Sequence, residues 1–187
     1  MNSIPTLETE HDFTLLLDGA SAATREIEDA LFAAGCDDAT LSARFGRLFL
    51  SFSRTAPSLR DAIVSAVQAV NGCGQSLSVV RVDTCNFVTQ ADIARKMDRS
   101  RQQVHQYISG LRGPGDFPPP ACNITEGMPL WYWCEVADWL AKNNLIKPEI
   151  LRDAQELAAV NSVLELAHQK LVAPELTLGV MRELGVG

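Results

Sequence analysis

An α+β fold is the class the sequence predicts, and three observations carry it. Over the first 83 residues, short apolar stretches with strand periodicity alternate with stretches of helical composition. From Phe87 onward the pattern changes to short helices interrupted by the proline-rich segment GPGDFPPP, residues 113–120. A long helical run then closes the chain. At 187 residues and 47% apolar, the chain has material for one ordinary domain or two small ones.

The first unit, residues 1–83, pairs strands with helices twice. DFTLLLD (12–18) reads as a strand, and residues 21–34 as a helix ending at Gly35, a natural left-handed stop. ATLSARF (39–45) and RLFLSFS (47–53) follow, separated by Gly46. In the latter, Leu48, Leu50 and Phe52 alternate with Phe49, Ser51 and Ser53, the period of a strand with one buried face. Ser58 is placed to cap a second helix whose Leu59, Ile63, Ala66, Val67 and Val70 form one apolar stripe. NGCG ends that helix and SLSVVRV (76–82) makes the fourth strand. The order β-α-β-β-α-β is that of the ferredoxin-like split βαβ domain. Both crossovers would cover one sheet face, leaving the other for a partner protein, a ligand or the next domain.

Residues 84–145 form the second unit. Thr89 followed by Asp92 is a capping pattern for a first helix presenting Ile93, Ala94 and Met97 inward. Asp98 and Arg99 make a corner, and Asp tolerates the left-handed conformation that a tight corner needs. Ser100 with Gln103 reads as a second capping box, starting a helix at Arg101 with Val104, Tyr107 and Ile108 toward the core. Two short helices, a short corner and the small Ala94 at their approach are helix-turn-helix geometry. Trp133 to Asn143 is a further helix candidate.

The charge distribution sets this unit apart. The chain carries a net −7, yet residues 84–115 hold five basic and two acidic side chains, and no acid occurs from Arg99 through Gly115. The segments on either side are each net −5. Such a local basic patch can bind a polyanion despite the acidic total, because counterion release depends on the groups that reach phosphates. On the outer side of the second helix stand Arg101, Gln102, His105 and Gln106, the residue types that hydrogen-bond base edges. Arg99, Ser100, the helix N-terminus and Arg112 suit phosphate oxygens. With Thr89, Gln90 and Gln103 at the helix starts, these ten residues are the candidate DNA-contacting set.

Gln90, Ala94, Ser100, Arg101, Gln102, Val104, Tyr107 and the SGLR ending in Arg112 resemble the helix-turn-helix regulators of bacteria and their phages. Beyond them, Phe117, Pro118, Pro120, Trp133, Glu135, Val136, Trp139 and Leu140 are similar to the winged variety found in excisionase, AlpA and MerR-like proteins. The resemblance spans about residues 86–141 and implies a winged helix-turn-helix domain, a duplex DNA partner and no cofactor. It departs at Asp98, where Gly is common, and at Arg99, where an apolar residue is common. The wing, 121–128, has no Lys or Arg and contains Glu126, so minor-groove insertion is not expected of it.

Residues 146–187 form a C-terminal helical segment. From Pro148, a residue tolerated at a helix start, a helix runs to about Val172, and Leu157, Val160, Leu164, Ala167 and Leu171 make a short seam. That seam packs on its own protomer or on a second copy, and a homodimer would supply the two-fold symmetry of paired half-sites.

Several functions are set aside. Five cysteines without a C-x-x-C, and histidines at His11, His105 and His168 only, fit no metal-ligand spacing. There is no Gly-rich phosphate loop and no G-x-S-x-G, so no enzyme is expected. MNSIPTLETEHDF has no basic region followed by an apolar core, and no run of 18 apolar residues exists, so a cytoplasmic protein without a membrane span is expected. The function expected is a sequence-specific, dimeric DNA-binding transcriptional regulator, a repressor acting by occlusion. The alternative is an antitoxin or accessory protein-interaction module on the same fold.

Overall fold

In a computed structural model, residues 8–125 and 127–186 are described. The opening residues MNSIPTL, Gly187, and Glu126 of the expected wing lie outside the described residues. The protein is mixed α+β, and its chain divides into two compact units. One runs to Thr84 and resumes at Ala159; the other is Cys85–Ala158.

The first unit is built on a four-stranded sheet. Its elements are β1 (Thr9–Asp18), α1 (Arg25–Ala33), β2 (Ala39–Arg44), β3 (Arg47–Ala56), α2 (Leu59–Gly72) and β4 (Ser78–Val82). The sheet order is β2-β3-β1-β4, and every neighbouring pair is antiparallel. Phe13, Leu15 and Leu17 stand directly opposite Phe52, Leu50 and Leu48, and all six are buried. This is the period-2 alternation of a sheet with one face in the core. Ile27 and Leu31 of α1, and Leu59, Ala62, Ile63, Ala66 and Val70 of α2, supply the helical side of that core. The Phe13 and Phe52 rings stack at 5.1 Å. On the other face Thr14, Leu16, Phe49 and Ser51 keep partial or full exposure.

Local signals explain the boundaries. Thr24 and Ser58 cap the two helices through their side-chain oxygens, accepting from Ile27 N–H and Asp61 N–H. β1 and β3 are each three residues longer than the apolar pattern suggests, the ladder continuing through Thr9, Glu10 and His11 opposite Ala56, Thr55 and Arg54, while the Ser53 hydroxyl lies 2.6 and 2.7 Å from the Glu10 and Asp12 carboxylates. Gly19 closes β1 at φ +107°, and a Cβ there would collide with the Ser76 carbonyl oxygen. Arg54 forks onto Asp38 with two 2.7 Å bonds and donates a third to the Gly35 carbonyl, tying the α1–β2 loop to β3.

The second unit contains β5 (Phe87–Val88), α3 (Gln90–Lys96), α4 (Arg101–Ile108), β6 (Trp131–Tyr132) and α5 (Trp133–Lys142). β5 pairs antiparallel with β6, and an isolated bridge joins Cys122 to Leu130, closing a hairpin beside the helices. The core gathers Ile93, Ala94, Met97, Val104, Tyr107, Trp131, Val136 and Leu140. The proline-rich segment is held by two indoles: Trp131 Nε1 donates to the Pro118 carbonyl at 3.0 Å and Trp139 Nε1 to the Gly115 carbonyl at 2.9 Å. Trp139 also packs edge-on against Tyr107 and Phe117.

The closing segment is α6 (Pro148–Val172) followed by α7 (Pro174–Leu184). Ala154 of α6 belongs to the second unit's core, and half-buried Ile150 and Leu151 pack against it. Beyond Ala158 the buried position is Asn161, fully enclosed, rather than any residue of the apolar seam. Val82 N–H donates to Asn161 Oδ1 at 2.8 Å, and Asn161 Nδ2 donates to the Thr84 carbonyl at 3.0 Å. Arg81 pairs with Glu165 at 3.0 Å on the same side. These polar contacts set the face that α6 turns inward, and they leave Val160 and Leu164 half-buried, with Ala167 and Leu171 exposed.

Candidate nucleic-acid interface

The site is a pair of capped helices and the corner between them. Thr89 caps α3 in a complete reciprocal box: its hydroxyl accepts from Asp92 N–H at 3.2 Å, and its own N–H donates to the Asp92 carboxylate at 2.9 Å. The Thr89 hydroxyl, which also donates to the Asp92 carboxylate at 2.7 Å, and the Thr89 N–H, with Arg95 and Lys96 nearby, hold that carboxyl below the usual carboxylate range. Arg95 closes an ion pair with the same group. Lys96 stands 4.9 Å above the Trp133 ring, and burial lowers its ammonium from the ordinary lysine range.

The corner follows from Asp98, which takes φ +51°. That left-handed residue lets Asp98 N–H reach the Arg95 carbonyl at 3.2 Å and Arg99 N–H the Ala94 carbonyl at 2.9 Å, satisfying the carbonyls at the end of α3. The chain then turns into Ser100, whose hydroxyl accepts from Gln103 N–H at 3.2 Å and caps α4. Val104 and Tyr107 go into the core, so the opposite side of α4 faces outward by helical geometry.

The ten candidate residues separate into three groups. Arg101, Gln102 and His105 are exposed along the outer side of α4, with Arg99 and Ser100 exposed at its start and Arg112 exposed beyond its end. Among the described residues, no salt bridge engages Arg99, Arg101 or Arg112. Arg99 at the corner therefore costs no apolar packing and keeps its charge in solvent, its nearest bond being to the Asp98 carbonyl at 3.3 Å. The Arg112 guanidinium lies 5.9 Å from the Tyr107 ring, and the Arg112 backbone N–H donates to the Gln106 carbonyl, keeping the residue against α4.

Exposed Thr89 and half-buried Gln90 and Gln103 commit their side chains to bonds within the protein. Gln90 Nε2 donates to the Arg101 carbonyl at 2.9 Å, stapling the first residue of α3 to the first of α4. Gln103 Nε2 donates to the Tyr107 hydroxyl at 3.1 Å instead of returning to Ser100, so the second capping box is one-sided. Gln106 is half-buried. These side chains set the helix positions, while Arg99, Ser100, Arg101, Gln102, His105 and Arg112 make the open surface.

One contribution escapes sequence reasoning. The returning hairpin brings Gly127, Met128 and Pro129 beside Thr89, Gln90 and Arg101, around a hollow of about 320 Å³. Met128 is 72% exposed there. A loop without basic residues or periodicity offered no signal that Gly127, Met128 and Pro129 would border the start of α4.

No titratable cluster in the described residues could hold a metal ion, and no described helix is long and apolar enough to cross a membrane. Comparisons with known protein families, curated proteins and solved structures find no match to this chain.

Proposed function

We propose that this protein is a sequence-specific duplex-DNA-binding regulator that represses by occlusion. The first unit is read as a ferredoxin-like split βαβ domain, from its β2-β3-β1-β4 antiparallel order with two helical crossovers. The Cys85–Ala158 unit is read as a winged helix-turn-helix domain, with α4 as the recognition helix and the 122–130 hairpin as the wing.

The observation that carries the reading is the outer side of α4. Arg101, Gln102 and His105 project there unpaired by any described acid, flanked by Arg99, Ser100 and Arg112, in a stretch without a carboxylate from Arg99 to Gly115. An ordinary solvated helix mixes Glu with Lys. In this mechanism α4 enters the major groove, where Arg101 and Gln102 read base edges. Arg99, Arg112, the Ser100 hydroxyl and the first-turn amides of α4 fix register on phosphates. No bond is made or broken, and the bound protein simply excludes other proteins from the site.

The test is selection of binding sites from random duplexes, with affinity then followed against salt. The reading expects an enriched site bound at least ~10³-fold above random DNA. Absence of enrichment, with weak binding that disappears by physiological salt, would move the function to a protein-interaction module.

A further inference from the structure

The first unit carries two apolar features that its own chain leaves unmatched. One is a groove of about 330 Å³ between α2 and the latter half of α6, lined by Ile63, Val64, Val67, Val160, Val163 and Leu164. Val64 and Val163 are 41% and 67% exposed in it. The other is α7, an amphipathic helix in which no residue is buried. Its Leu176, Val180 and Leu184 recur at i, i+4 and i+8, so they share one face, and all three are exposed.

We propose that the groove receives α7 from a second copy of this chain, reciprocally, so that two copies form a two-fold dimer. Three observations specify that occupant. The lengths agree: the lining from Arg60 to Gln68 on α2 and the stripe from Leu176 to Leu184 each span eight residue steps, about 12 Å of helix. The area agrees as well. Val64 and Val163 in the groove and Leu176, Val180 and Leu184 on the stripe are 41–71% exposed. Together they offer roughly 400 Å² of apolar surface per copy, the apolar share of an interface at the lower end of the standard range, ~600 Å² a side. The charge agrees too. The α7 helix holds Glu175 and Glu183 against Arg182, net −1, and the charged residue lining the groove is Arg60, so helix and groove meet without like-charge repulsion.

The reciprocal arrangement is isologous: each copy gives one helix and receives one, and no unsatisfied end remains to build a filament. It also accounts for the seam of Val160 and Leu164, left half-buried by the chain's own packing.

The test is sedimentation of the full chain without DNA, over ~1 to ~100 µM. The result is thereby read independently of whether the protein binds DNA. The expected species is a dimer of twice 20.4 kDa. Val64→Lys and Leu176→Glu, both at exposed positions, should each raise the dimer dissociation constant at least ~10-fold with an unchanged far-UV spectrum. Mixing the two variants should restore the dimer, because one groove-and-helix pair is then wild type and the other brings the two substitutions together as opposite charges. A wild-type monomer at ~100 µM, variants that dimerise like wild type, or a mixture that stays monomeric would each overturn the proposal; the last result would place α7 on its own groove or the dimer on another face.

Discussion

Arg112→Gln separates the two kinds of contact assigned to the interface. Its guanidinium is exposed, outside every described salt bridge, and touches the rest of the protein only at 5.9 Å from the Tyr107 ring. Stability should therefore change by no more than about 0.5 kcal/mol. If Arg99 and Arg112 each neutralise one phosphate, affinity falls with salt at a log–log slope of about −1.8 per bound chain, or ~12-fold between ~50 and ~200 mM. Arg112→Gln should halve the slope to about −0.9, a ~3.5-fold loss over the same range, equally on the selected site and on random DNA. Arg101→Gln should leave the slope nearly unchanged and flatten the preference at one base step by about 1–3 kcal/mol. Fluorescence anisotropy on labelled duplexes at three salt concentrations reads both quantities. The reasoning is refuted if Arg112→Gln keeps the full slope, or if both variants lose specific and random binding in equal measure.

Three further outcomes follow from the geometry. Asp98→Gly removes a left-handed strain of about 1 kcal/mol against a more flexible unfolded chain, so urea denaturation should show a gain near ~0.5 kcal/mol, whereas Asp98→Val should lose at least ~1 kcal/mol. Trp139→Leu deletes the ring between Tyr107 and Phe117 and the bond to the Gly115 carbonyl; it should cost about 3 kcal/mol and lower the thermal midpoint of the Cys85–Ala158 unit, followed by near-UV circular dichroism. Arg54, through its side-chain bonds, holds the Asp38 carboxyl below its ordinary range in the folded state. The unfolded chain, with a pKa near ~3.9, therefore binds the proton first as pH falls. The stabilisation is thus complete above about pH 5 and is lost as pH drops below ~4 through the folded value. Asp38→Asn should flatten that acid limb of the stability curve.

Much of the architecture was legible because it is written in local signals. RLFLSFS alternates in a way only a half-buried strand explains, and it forms the first seven residues of β3. Ser58, Thr89 and Ser100 cap the helices they precede, and Asp98 takes the left-handed corner for which its side chain suits it. The exposed side of α4 was legible for the same reason, since Val104 and Tyr107 fix which residues remain outside. Contacts that depend on distant partners were not. Asn161 looks like an ordinary polar helix residue until Val82, 79 positions earlier, is placed beside it. The amide of Gln103 could have returned to Ser100, and only the position of the Tyr107 hydroxyl decides otherwise. Thr9, Glu10 and His11, paired with Ala56, Thr55 and Arg54, lengthen two strands through residues that an apolar pattern passes over.

The Asn161 clamp also protects the sheet. β4 pairs with β1 on one side only, and an unpaired strand edge is a template on which another chain can add itself. At Val82 that template is closed by a side-chain amide, which gives the outward N–H an acceptor and the Thr84 carbonyl a donor, much as a neighbouring strand would. The helix bearing Asn161 arrives only after the whole Cys85–Ala158 stretch has been synthesised. A nascent or truncated chain ending near Thr84 therefore lacks this cover and presents the β4 edge bare.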